Sequence, residues 1–494
     1  PSGRGSVGEY GASLSYSAPF ELSEGHLAWS WHHPKGRFGS VVLGGPLIDD
    51  EGCFYVSTNK GIFKLSPGGM VMWVFIANGT MSDVPCLYNG VLFMDDSAGW
   101  VYAVDLATGI PVWAKKHADV VSSDTSYLQA HESVLVLAMG LHTMVGGSDF
   151  ILGMNTTTGD VIWAFKPDCP VWNMMALFAG DATFIFQDYD GKAYRAALHT
   201  GEVLWTSGGS GVPMGTWSDG GAMLGHNGLV YTATSKAHCM SHHPTCGGGV
   251  DAFHLENGSL AWRRDLVRPF FTWAVVGQLP GLANESVIVA QGSNAYFPWP
   301  DIVYAGLAAT IQNWTMYGVL LALGWAMAWG VSGWKAKAKR AAIGFFIAYV
   351  VSWIAAGLGA ANYYARMHIF EAEVMAMDAS TGELQWIYHL PTWDKVSAAG
   401  DADGWFFRKM YAPERTACLP ASFNSPTVDG NGTVWIGYMD GWMYGLRDEN
   451  GDTEVTEDEV IKFNTKGAFL HTGTTFMPGM MGVASCDSVF VWEY

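Results

Sequence analysis

The stretch AMDASTGELQW, Ala376 to Trp386, decides how this chain folds, because the chain rebuilds it again and again. A glycine four residues ahead of a tryptophan recurs at Gly25/Trp29, Gly69/Trp73, Gly109/Trp113, Gly159/Trp163, Gly201/Trp205, Gly258/Trp262 and Gly382/Trp386. An eighth copy, LRDENGDTEV, keeps Gly451 but has Val455 where the tryptophan would stand. Around Gly109 the unit reads YAVD, LATG, IPVWAKK: a strand, a tight turn and a strand. Asp or Asn with Gly supplies the positive φ that a short hairpin turn needs, and alternating apolar residues on either side suit half-buried strands. The tryptophan, with the most area to bury, can anchor one strand pair onto the next. Most copies carry a second strand pair upstream, as in SFNSPTVDGNGTVWIGYMDGWMYGL, where Asn431-Gly432 and Asp440-Gly441 make the turns. Four strands per copy, repeating about every 40 to 57 residues where nothing intervenes, predict the blades of an all-β propeller.

This pattern resembles the pyrroloquinoline-quinone-type repeat of quinoprotein dehydrogenases and of non-enzymatic propellers such as the outer-membrane assembly lipoprotein. The resemblance covers nearly all of the chain outside residues 296–370. It implies an eight-bladed propeller, with blades at about 38–79, 80–117, 118–168, 169–211, 212–266, 271–391 and 415–467 and a last one shared by the two chain ends. Seven blades, with the copy at Gly451 as decoration, is the alternative count. The C-terminal strands, around FMPGMMGV and SVFVWEY, are expected to form the inner half of the shared blade. The N-terminal ones, GASLSYSAPF and HLAWSWHH, would form its outer half, removing two free sheet edges. Residues 1–295 and 371–494 then make the propeller, 296–370 an insertion in blade six, and 392–417 a long irregular loop feeding blade seven. The fold alone assigns no function, because the same propeller hosts catalysts, scaffolds and chaperone-like binders.

A propeller of eight blades absorbs most of a 494-residue chain as one closed unit. A formal charge of -19 excludes the basic footprint that nucleic-acid binding requires. Charged residues make up only 14% of the chain, an apolar balance that fits a β-rich core plus a membrane segment. The chain opens PSGRGS, without a secretory leader pattern or an initiator methionine, as expected of a processed or trimmed terminus. Its seven cysteines, an odd number scattered along the sequence, imply no disulfide framework.

The insertion has a different character. Thr315 to Trp334 and Ala341 to Ala361 are each free of charge and long enough to span a hydrocarbon core, which predicts an inserted two-helix transmembrane hairpin. Between them KAKAKR, Lys335 to Arg340, reads as a basic tip on the cytoplasmic, stromal or matrix side, which puts the propeller in a non-cytoplasmic compartment. In propellers the connection between strands two and three lies on the same face as the connections between blades. The face from which the hairpin leaves is therefore expected to look at the membrane, together with the loops AHCMSHHPTCGG of blade five and GLHTMVGGSD of blade three.

Two groups of residues invite chemistry. Cys239, His242, His243 and Cys246, with His238, could hold zinc, but structural zinc sites draw ligands from two separated pairs and these all lie in one loop. A disulfide between Cys239 and Cys246, free thiols and a metal site stay open as alternatives. The other is the quinone site that the family resemblance implies. Thr216 and Trp217 match the segment under the cofactor, but Ser235 stands where the calcium-binding Asn would be, and in Pro269-Phe270-Phe271-Thr272-Trp273 the base is replaced by Phe271, which cannot take a proton. Trp217 and Trp273 then read as vestiges kept for packing, with no catalytic residue and no cofactor, neither the quinone nor calcium, expected. Sequons at Asn78, Asn155, Asn257, Asn284, Asn313 and Asn431 would fit a secretory lumen, although three of them are turns the fold wants anyway. The acidic run from Glu454 to Val460 reads as a solvated loop, and Met477, Met480 and Met481 as packing. The expectation is a non-catalytic, membrane-anchored scaffold or accessory subunit whose partners are membrane-complex subunits, client proteins and the lipid bilayer. The alternative is a membrane-bound quinoprotein oxidoreductase.

Overall fold

The computed structural model describes residues 27–493 apart from 82–83, 123–125, 143–145, 212–214, 237–246, 294–313, 348, 351–368, 396, 419–421 and 471–472. Its contacts divide the chain into two units, one holding residues up to 294, 370–392 and 398–494, the other 295–369 and 393–397. The first unit is built of eight antiparallel sheets in chain order, the blades of a propeller. Blade three is typical: Gln129–His131, Val134–Met139, Phe150–Asn155 and Val161–Phe165 pair in that order. The second strand is wholly buried, while in the fourth Val161, Ile162 and Ala164 are exposed and only Trp163 is buried, as expected where a sheet packs between neighbours and ends at the rim. In blade five the inner strand is broken into Thr216–Trp217 and Ala222–Leu224, both paired with Leu229–Lys236.

Gly109 and its counterparts act between blades, not within one. Gly109 has φ +70, and a Cβ there would lie 2.7 Å from the Trp73 ring of the preceding blade. The same holds for Gly69 on Trp29, Gly159 on Trp113, Gly201 on Trp163, Gly258 on Trp205 and Gly382 on Trp262. Each indole N–H also donates to a carbonyl of the blade it leans on: Trp73 to Leu106 at 3.0 Å, Trp113 to Thr156 at 2.9 Å, Trp163 to Leu198 at 2.7 Å and Trp205 to Leu255 at 2.8 Å. Only glycine takes the left-handed turn and leaves room for the ring, so the spacing of the repeat records a chain of such joints.

A second recurring device secures the turns. The carboxylates of Asp49, Asp96 and Asp188 accept backbone N–H groups around their turns and also the tyrosine hydroxyl six residues on, Tyr55 at 2.8 Å, Tyr102 at 2.7 Å and Tyr194 at 2.9 Å. Asp429 does the same with the Trp435 indole at 2.9 Å. Burial pushes the Asp188 carboxyl up to about 6, against the lowering effect of these bonds.

Among the described residues the shared blade is divided three to one, and GASLSYSAPF, expected as its other N-terminal strand, lies outside them. Leu27–Trp31 pairs with Val489–Glu493, which is followed inward by Met480–Ala484 and Thr475–Met477, where an even division was expected. The stretch 392–417 is not irregular throughout, because Asp401–Tyr411 is a helix. Asp401 and Arg408 are seven residues apart, two turns on one face, and pair at 2.6 Å. Arg408, 0% exposed, also pairs with Asp487 of the shared blade, and Arg37 reaches the other Asp487 oxygen at 3.0 Å. Cys418 donates its N–H to Asp401 at 2.7 Å and is disulfide-bonded to Cys486, the two Cα atoms 5.8 Å apart. A sequence without a visible disulfide framework thus contains a buried bridge whose halves lie 68 residues apart.

In the second unit, Trp314–Ala328 is a helix of 15 residues and a second helix begins at Trp334. The expected span Thr315 to Trp334 is therefore corrected. Its helix ends at Ala328, and Gly330 and Gly333, at φ +76 and +92, make the bend. KAKAKR lies inside the second helix instead of forming a tip, so the orientation argument built on a basic turn loses its premise. Much of Ala341 to Ala361 falls outside the described residues. Among the described residues no helix is long and apolar enough to cross a membrane. The two helices touch through small residues: a Cβ on Gly324 would meet Phe345 at 2.6 Å, and one on Gly344 would meet Met327 at 2.8 Å. Leu321, Trp325, Trp329, Phe346 and Ile347 remain exposed.

Candidate functional site

The propeller axis is where a fold of this kind can place a ligand, and here it is crossed by side chains. Tyr127 leads into the inner strand of blade three, and Trp273 into that of blade six, Val275–Gly277. Their rings meet edge to face at 4.5 Å. Blades three and six are not neighbours, so this contact spans the axis. Val84, Met175 and Met223 belong to the same buried cluster. Lead-in segments of blades two, three and four also pair side by side, through Val84 with Tyr127 and Tyr127 with Met175. The Trp273 indole donates to the Asp219 carbonyl at 2.7 Å, and the ring lies where a side chain on Gly221 would be. Asn173 donates to the Asp219 carboxylate at 3.0 Å.

The residues singled out in the sequence sit around this plug. Trp217 and Phe271 are both buried with ring centroids 4.7 Å apart. Ser235 is buried, its hydroxyl donating to the Phe270 carbonyl at 2.9 Å and accepting the Phe270 N–H at 2.7 Å. A calcium ion and an orthoquinone need several free oxygen donors and a slot beneath an indole. Phe271 has no oxygen, the Ser235 hydroxyl is committed to backbone, and Trp217 lies against Phe271, so these residues do not fit either group. Residues 238–246, with Cys239, His242, His243 and Cys246, lie outside the described residues.

Asp49, Glu51 and Cys53 bring three potential metal ligands together. Asp49 spends one oxygen on the N–H groups of Glu51 and Cys53 and the other on Tyr55, so the trio is one of the turn devices described above. A groove of about 450 Å³ opens between His226, Asn227, Gln278, Asn284, Glu285 and Ser380. His226 and Glu285 close on each other there at 2.5 Å.

What the sequence reading missed is the helix Asp401–Tyr411. Of its charged residues Asp401 and Arg408 are buried with Gly404, while Asp403 and Lys409 are exposed together with Phe406, Phe407, Met410 and Tyr411. The signal was present as Asp, Gly, Arg and Ala at positions 401, 404, 408 and 412, one helical face, opposite a row of aromatic residues.

A family profile described as outer membrane protein assembly factor BamB matches residues 20–164 and 97–296, together more than half of the chain. Tetrathionate hydrolase of Acidithiobacillus ferrooxidans is 27% identical over 247 residues, 46% of this chain and 43% of that protein, so the match spans less than half of the relative's length. Among solved structures, BamB from Moraxella catarrhalis aligns over 95% of this chain and 99% of its own, at 14% identity and a TM-score of 0.54. A quinohemoprotein alcohol dehydrogenase from Pseudomonas putida aligns over 97% of this chain and 78% of its own, at 10% identity and a TM-score of 0.54. At such identities the structural likeness establishes the fold and nothing finer.

Proposed function

Since the chain belongs to the pyrroloquinoline-quinone-type repeat family described as outer membrane protein assembly factor BamB, we propose that it works by binding. It is a membrane-anchored scaffold or accessory subunit, held on the non-cytoplasmic side, that presents its loops and rim to other subunits of a membrane complex or to client proteins. The observation that carries this reading is the buried edge-to-face contact of Tyr127 with Trp273, which fills the middle of the ring between blades three and six with apolar side chains and not with polar or ligating groups. The second unit supports the anchor. Its first helix is apolar on every side and leaves large side chains uncovered, which water disfavours. At 15 residues it reaches only about 22 Å, short of a hydrocarbon core of about 30 Å, so the pair is proposed to enter the bilayer as a bent hairpin. The bridge Cys418–Cys486 favours an oxidising compartment.

Native electrophoresis of the protein extracted from its membrane in mild detergent tests the scaffold. Migration well above the monomer mass, with reproducible copurifying chains, is expected; migration at the monomer mass alone overturns it. The match to a tetrathionate hydrolase favours a second reading, an enzyme acting on a sulfur oxyanion. Loss of tetrathionate on incubation with the purified protein would establish that reading in place of the first.

A further inference from the structure

The helix Asp401–Tyr411 is turned inside out: it buries its ion pair and shows its rings. Phe406, Phe407, Met410 and Tyr411 recur at the spacing of one helical face, and Phe38, from the segment joining the shared blade to blade one, stacks on Phe407 at 6.2 Å. Such a row would ordinarily fold back on itself to escape water. Here Arg408, paired to Asp401 and Asp487 beneath it, and the neighbouring bridge Cys418–Cys486 fix the helix in place with the rings outward. Something apolar is therefore expected to cover it.

We infer that this aromatic row is a contact surface for the lipid bilayer, a second attachment of the propeller beside the inserted hairpin; the inference rests on the anchored reading above. Three observations favour lipid as the occupant. The helix lies in the connection from blade six to blade seven, and the chain leaves the propeller for the inserted hairpin between strands two and three of blade six, after Gly292, to return at Phe370. Both features are at the same end of the disc. Phenylalanine and tyrosine rings flanked by the exposed Asp403 and Lys409 match the composition of helices that lie in the headgroup region, the two charges staying at the level of the headgroups while the rings settle below them. The charges of Asp401 and Arg408 are already neutralised against each other, so covering the row brings no unpaired charge of the inner face into hydrocarbon.

Methionine oxidation reads this directly. Met410 is 58% exposed, and Met70, in the turn between strands three and four of blade one and so at the opposite end of the disc, is 72% exposed. The full chain is reconstituted in phosphatidylcholine vesicles at one chain per vesicle, so that a second copy cannot provide cover. The floated fraction is treated with hydrogen peroxide, which crosses the bilayer, and sulfoxide formation at both residues is followed by peptide mass spectrometry. Met410 is expected to oxidise at least about five-fold more slowly than Met70, because a thioether under lipid meets little peroxide. Equal rates in a chain that floats would overturn the lipid contact and leave the anchored reading standing. A chain that does not float overturns both.

Discussion

Six seams between blades, from the shared blade round to blade six, use one joint, and the two seams that flank blade seven do not. In the first group a tryptophan of one blade lies on the glycine turn of the next and hydrogen-bonds to it. At the seam from blade six to seven, Gly451 has nothing within 4 Å where a ring would lie. The blades are joined instead by main chain, Ile387 N–H to Thr453 O at 3.0 Å and Val455 N–H to Ile387 O at 2.9 Å. At the next seam Val455 replaces the tryptophan, and the fastening combines the ring contact of Phe463 with Trp492, 4.7 Å between centroids, with the disulfide and the ion pairs around Arg408. Both insertions, the hairpin and the helix Asp401–Tyr411, occur in this sector. The difference teaches that a repeated joint gives a ring its geometry, while a departure from it has to be compensated by contacts made once only.

The sharpest way to break the comparison is to remove the one-off fastening. Arg408→Ala leaves Asp401 buried without its counter-charge and Asp487 with Arg37 alone, and should cost about 3–5 kcal/mol in urea unfolding. Arg408→Met, which restores the volume but not the charge, should recover little of it. If Arg408→Ala unfolds at the wild-type urea midpoint, the ion pairs do not hold this sector. Next in size is the bridge: Cys418→Ala together with Cys486→Ala frees a loop of 68 residues and should lower stability by about 2–4 kcal/mol. Because neither variant touches a tryptophan joint, proteolysis should begin in blade seven and the shared blade, and cleavage spread evenly round the ring would argue that the seams are equivalent.

A paired glycine substitution sharpens the other side. Gly109→Ala forces a Cβ to within 2.7 Å of Trp73 as well as into a left-handed backbone, so about 2–4 kcal/mol should be lost. Gly451→Ala meets the same backbone preference, φ +74, in open space and should lose only about 1 kcal/mol. Similar losses at the two positions, measured by urea midpoints, would mean that the ring on the glycine contributes nothing beyond the turn.

These residues also mark how far the sequence could be read. The eight copies were legible because strand alternation, glycine turns and tryptophans are local, periodic signals. That each glycine serves the tryptophan of the preceding copy was not, since both partners recur at similar intervals and either pairing satisfies the spacing. The plug was half legible: Phe271 and Ser235 announced that the quinone site does not match, but the meeting of Tyr127 with Trp273 joins residues 146 apart that share no motif. The fastening of Arg408, Asp487 and the bridge was hidden because it occurs once. The helical insertion misled through composition: an uncharged run of twenty residues fits one long helix, yet Gly330 and Gly333 turn the chain before it is complete.

The smallest effect expected is a pH dependence carried by the turn device. Asp188 is 1% exposed, and burial raises its carboxyl to about 6 in the folded chain; Asp440 is raised to about 6 by the same cause. In the unfolded chain a carboxyl of this kind titrates near its ordinary value of about 3.9. Between these values the folded state binds more protons than the unfolded one, so stability increases as pH falls from 7 toward 5 and is lost again as pH rises through 6. For Asp188 the gain should be on the order of 1 kcal/mol. The acidic surface adds a change of the same sign, but salt screens it and does not reach the buried group. Measured in high salt, the urea midpoint should still increase on acidification, and Asp188→Asn, which keeps an acceptor for Tyr194 but cannot titrate, should flatten that slope. An unchanged slope in the variant would place the dependence on the surface and leave this turn with a structural role alone.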